Sequence, residues 1–105
     1  MMSDHPNRHL IEKAKYSIIS VKDYMASSDI FDESKKQEMV QALDDFADQV
    51  KNIETLPINP AKIEETEALL KLLGLHIAAA GAEIGCDINY AKFYEWYDKK
   101  YPNTY

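Results

Sequence analysis

Apolar residues recur at helical spacing along most of this chain, and the stretches that interrupt them are short. Leu10, Ala14, Ile18, Val21 and Met25 step by four, four, three and four, which places them on one face of a helix from about Asn7 to Ser27. Ile11, Ile19 and Tyr24 widen that stripe, and "SSDIFDES" then breaks it with cap-forming residues. A second helix is predicted from about Asp32 to Ile53. Met39, Leu43, Phe46, Val50 and Ile53 share its apolar face, with Gln41, Asp44, Asp45 and Asp48 off it. Asp32 is its natural N-cap.

"TLPINPAKI" marks the clearest boundary, because Pro57 and Pro60 cannot sit inside a helix. Asn59 caps the next helix and Pro60 takes its first position. From there Ile63, Thr66, Leu70, Leu73, Ile77, Ala80 and Ile84 keep a heptad rhythm. A second row, Leu69, Leu72, Leu75, Ala79, Ala82 and Cys86, covers much of the opposite side. The spacing runs on through Gly74, so one helix is expected, about 40 Å long at 1.5 Å per residue. Gly85 and Asp87 end it and cap a fourth, from about Ile88 to Lys100, which Pro102 closes. No strand pattern appears. The expected fold is all-α: residues 1–105 form a single domain, an antiparallel four-helix bundle with a long central third helix.

Composition narrows the class of function. The net charge of −6 is uneven: residues 29–67 carry 11 acidic and 4 basic side chains. That balance argues against nucleic-acid binding, which draws on basic contacts to phosphate, and is compatible with a basic protein partner. The single cysteine, Cys86, is expected to be a small core residue and fits a reducing, cytoplasmic setting. "MMSDHPNRH" carries no apolar leader. The apolar run 69–86 contains Lys71, His76 and Glu83, each costly in hydrocarbon, and reads as a buried helix rather than a membrane span.

Several residues invite a chemical reading. His76 opens "HIAAAGAEIG", which resembles the pattern of small helical histidine phosphotransfer domains, an exposed histidine followed by lysine, glycine and small residues on one helix. The sequence departs from it: Ala79 stands where the lysine belongs, and both glycines are displaced by one position, about 100° around the helix. His76, Glu83 and Cys86 lack a paired metal-ligand motif, and Pro6 interrupts His5 and His9. No cofactor or metal is expected. Asp44, Asp45, Asp48 and the "EETE" run read as solvated faces, and no catalytic motif occurs, so an enzyme is not expected.

Two stretches suggest contact with other proteins. Gly74, Ala78, Gly81, Ala82 and Gly85 strip bulk from the third helix, which suits close approach of another backbone and makes self-association of a homodimer one expectation. The last helix presents Tyr90, Phe93, Tyr94, Trp96, Tyr97 and Tyr101, with Tyr105 beyond it. It cannot point all of them inward. Tyr94, Trp96, Tyr97 and Tyr101 are therefore candidate partner contacts, with Asp44, Asp45 and Asp48 as an electrostatic complement. The expected function is non-enzymatic: a small acidic module that sequesters a partner protein, in the manner of immunity proteins, phage anti-defence proteins or regulatory adaptors. The alternatives are phosphotransfer through His76 and a structural subunit working by repeated self-contacts.

Overall fold

The computed structural model describes residues 6–102; His5 and Tyr105 lie outside them. The described chain is all-α. Helix α1 spans Arg8–Ser27, α2 Glu33–Thr55, α3 Ile63–Glu83 and α4 Tyr90–Lys100, with a single 3₁₀ turn, Pro60–Lys62, ahead of α3.

Of the expected caps, Asp32 and Asn59 form and Asp87 does not. The Asp32 carboxylate accepts from the Lys35 N–H at 2.7 Å, and the Asn59 side chain accepts from the Ala61 N–H at 3.0 Å. At α4 the cap is Asn89, which accepts from the Lys92 N–H at 3.1 Å, so that helix starts two residues after the expected Ile88. Asn7 behaves differently. Its side chain makes no cap bond to α1; its Nδ2 donates instead to the Ile63 carbonyl at 3.3 Å, tying the start of α1 to the start of α3.

The third helix is shorter than expected at its start. Pro60 opens a 3₁₀ turn rather than an α-turn, and α3 proper has 21 residues, about 32 Å at 1.5 Å each. It is unbroken at Gly74. It ends in a Schellman motif: Cys86 N–H donates to the Gly81 carbonyl at 2.8 Å and Gly85 N–H to the Ala82 carbonyl at 3.0 Å, with Gly85 at φ +82°. That left-handed conformation is the reason for a glycine there.

The centre of the molecule is α1, and this corrects the expectation that the third helix occupies it. Helix α1 packs against α2, α3 and α4, whereas α4 packs against α1 alone. Ile11, Ala14, Ile18, Val21 and Met25 of α1 are buried with Met39, Leu43 and Val50 of α2 and with Leu70, Leu73 and Ile77 of α3. The heptad row of α3 is therefore the core row. Its second row, apart from the buried Cys86, is not covered, because α4 is docked elsewhere.

Candidate functional site

The uncovered side of α3 departs from an ordinary solvated surface. Leu69 and Leu72 are each 50% exposed and Leu75 is 68% exposed. Ala68, His76, Ala79 and Ala82 are exposed beside them. Leu69, Leu72, His76 and Ala79 step by three, four and three, so they form one continuous face. At its N-terminal end Leu69 borders a shallow cleft of about 170 Å³ shared with Ile53, Leu56 and Ile58, and Leu56 and Ile58 are themselves exposed. Isolated exposed leucines are ordinary; a contiguous strip of them is a candidate contact surface.

Charge frames the strip. Glu64, Glu65 and Glu67 lie before it and Glu83 after it. Glu83 is paired with Lys35 of α2 at 3.3 Å and Lys71 with Glu67 at 3.3 Å, both on the surface, where such pairs contribute little stability. His76 stands within the strip, its ring parallel to Phe46 of α2 at 6.4 Å between centroids. Its imidazole is exposed.

The five small residues of the segment 74–85 serve different ends. Gly81 is a close-approach glycine: a Cβ there would meet Val21 Cγ2 of α1 at 3.1 Å, so it serves packing inside the chain. Gly85 serves the turn. Gly74 serves neither. A Cβ on it would meet nothing within 4 Å, although glycine in a helix interior costs about 1 kcal/mol relative to alanine. Gly74 and Ala78 instead form part of the wall of an open groove between α1 and α3. Ala82 is exposed on the outer side. Of the five, Gly81 is buried within the protein.

The aromatic helix is held by a polar anchor that its sequence did not announce. Phe93 is 0% exposed and stacks edge-on or tilted against His9, Tyr16, Tyr94, Trp96 and Tyr97. Glu12 of α1, 3% exposed, accepts the Tyr101 hydroxyl at 2.5 Å and the Lys100 ammonium at 3.1 Å, both on Oε1. Its Oε2 is buried without a hydrogen-bond partner among the described residues. Arg8 lies 4.0 Å over the Tyr101 ring and its Nε donates to the Tyr97 hydroxyl at 3.3 Å. Burial pushes the Glu12 carboxyl up, but the bonds from Tyr101 and Lys100 outweigh it and hold the carboxyl below its ordinary value. Burial and the bond to Glu12 push the Tyr101 phenol up to about 12.

Of the candidate partner contacts, Tyr97 and Tyr101 are half-buried and engaged in docking α4 on α1. Tyr94 and Trp96 remain exposed, Tyr94 stacked on His9 at 5.5 Å. Asp44 is paired with Lys22 of α1, and Asp45 accepts from Gln41 at 3.2 Å. Asp45 and Asp48 are exposed. The structure does not bring the acidic and aromatic sets together, for α2 and α4 make no contact among the described residues. Cys86 is buried, its thiol pushed up by burial and by Asp87. Among the described residues no three His, Cys, Asp or Glu side chains converge as metal ligands, and no helix is long and apolar enough to cross a membrane.

No family model, curated protein or solved structure matches this chain. What sequence reasoning missed was Glu12. The available signal was a matched spacing: Arg8 and Glu12 lie four apart on α1, and Tyr97 and Tyr101 four apart on α4.

Proposed function

We propose that this protein is a non-enzymatic, acidic protein-binding module of the cytoplasmic inhibitor or adaptor kind, which holds a partner on the outer face of α3. In this reading the four helices are an antiparallel bundle, with α1 at its centre and α3 presented at its side. The observation that carries it is the exposed row Leu69, Leu72 and Leu75. Fully burying a leucine side chain is worth about 1.5–3 kcal/mol, so half-exposed leucines leave roughly 1 kcal/mol each to be gained on association. The acidic residues around the strip and along α2 suit a partner with basic groups, which they would speed to encounter more than they tighten.

The test is a charge placed mid-strip. The partner is isolated by affinity capture with the wild-type chain, purified, and measured in binary titration against Leu72→Glu. The substitution is expected to weaken binding by about 2 kcal/mol or more, the cost of a central hot-spot position, while leaving the helical circular-dichroism spectrum unchanged. Equal affinity of the two proteins would refute this assignment of the surface. Trp96→Ala in the same titration measures the share of the aromatic helix.

The exposure of His76 favours a second reading, phosphotransfer on its imidazole. It requires acid-labile phosphate to appear on the protein from a phosphorylated receiver domain and to be absent from His76→Gln. A wild-type chain that stays unphosphorylated removes it.

A further inference from the structure

We infer that the groove between α1 and α3 is a binding site for an aliphatic carboxylate, its alkyl chain lying across Gly74 and its carboxylate held at the mouth by Lys13. This goes beyond the partner-binding face, with which the groove shares only the edge residue Leu75.

The groove has a volume of about 490 Å³ and an apolar wall made of Leu10, Ala14, Leu70, Gly74, Leu75 and Ala78. Small-molecule sites occupy about 300–1,000 Å³ and combine such walls with a few polar groups that fix orientation. Depth comes from Gly74, whose missing side chain leaves open space. Gly81, one helical span further on, meets Val21 at once, so the room at Gly74 is particular to that position. The polar groups are Lys13, Ser17, Lys71 and Tyr90.

Charge selects the ligand class. In a chain of net charge −6, the charged residues lining this groove are lysines alone. Lys13 holds its ammonium 4.7 Å from the Tyr90 ring centroid and 5.9 Å from that of Tyr94, with no ion pair among the described residues. Lys71 is shared with Glu67, which leaves Lys13 the principal cation. Ser17 donates to the Lys13 carbonyl at 2.8 Å and so is occupied. The groove between α1 and α2 makes the contrast: it holds Lys22 and Lys36 but also Glu33 and Asp44, and Lys22 is already bound to Asp44. Its charges neutralise one another. An apolar groove with an uncompensated cation takes an apolar chain with an anionic head.

The probes are decanoate and decyltrimethylammonium, each below its micelle concentration, titrated into the full chain and followed by amide chemical shifts and calorimetry. Decanoate is expected to bind saturably, with shifts at residues 10–17, 70–78 and 90, and at least tenfold more tightly than the cation. Gly74→Leu fills the groove and is expected to abolish decanoate binding in a protein whose helicity is unchanged; if that variant does not fold, Ala78→Met fills the same space. Lys13→Gln is expected to weaken decanoate severalfold and to leave decanol unaffected. Absence of saturable binding, equal binding of the cation, shifts confined to Leu69, Leu72 and Ala79, or a folded Gly74→Leu that still binds would each overturn the site. Leu72→Glu, which tests the partner face, should leave decanoate binding intact, so the two assignments fail separately.

Discussion

At the scale of single residues, three glycines of one short segment are held by three different physical requirements, and they respond differently to the same methyl group. Gly74→Ala adds helix propensity worth about 1 kcal/mol and meets no neighbour, so it is expected to raise stability by roughly 0.5–1 kcal/mol. Gly81→Ala gains the same propensity, but its Cβ would lie 3.1 Å from Val21 Cγ2 and 3.4 Å from the Cys86 carbonyl. Val21 is fully buried and cannot move aside into solvent, so overpacking offsets the gain. Gly85→Ala forces an alanine to φ +82°, which costs about 1–2 kcal/mol. Denaturant midpoints should therefore rank Gly74→Ala first, wild type and Gly81→Ala close together below it, and Gly85→Ala last. A Gly74→Ala midpoint below wild type would show that something does occupy that space.

At the scale of elements, α4 is a separate docking unit whose attachment depends on protonation. The Glu12 carboxyl is held below its ordinary value, so its contribution is present above the unfolded value and is lost as pH falls through the folded one. His9, against Phe93, Tyr94 and Tyr97, is held below 6.5 by burial and by Lys13, with Asp98 opposing; neutral His9 suits the fold, and its contribution is likewise lost on acidification. Tyr101 acts at the other end: pushed up to about 12, it contributes below the ordinary phenol value and loses this as pH rises toward the folded one. Trp96 is the single tryptophan and packs on Tyr16 and Phe93, so its fluorescence reports α4 directly. As pH falls from 7 it is expected to change in two steps, His9 first, below its ordinary value, and Glu12 second, below the ordinary carboxyl value. Glu12→Gln removes the second step and costs about 1.5–3 kcal/mol, the worth of hydrogen bonds to a charged group. Coincident titrations of the two proteins would contradict this account.

The same element explains how far the sequence could be read. The single-faced stripes of α1 and α2 and the heptad row of α3 became the core side, because one-sided periodicity fixes which side of a helix is buried; Ile19, read as widening the α1 stripe, is 57% exposed. The second row of α3 was ambiguous, since an apolar position reads alike whether a neighbour covers it or not. Coverage depended on where α4 went. There it is held by the buried Phe93 together with polar contacts between Arg8, Glu12, Tyr97 and Tyr101, which lie far apart in sequence and are invisible to a hydrophobic pattern.

At the scale of the whole molecule, two long-range properties oppose each other. The outer strip of α3 favours association with any apolar surface, including another copy of the chain, while a net charge of −6 on a body of 44 × 27 × 20 Å repels it. Repulsion between exposed charges is screened by salt, with a Debye length of about 30 Å at 0.01 M and about 3 Å at 1 M; burial of leucine is not weakened in that way. Light-scattering mass is therefore expected to stay monomeric at low ionic strength and to rise with protein concentration at high ionic strength. Leu72→Glu removes apolar contact and adds a further negative charge, and should hold the mass at the monomer value throughout. Mass that falls with added salt would mean that ion pairs, not leucines, join the copies, and would shift the contact from α3 to the charged surface of α2.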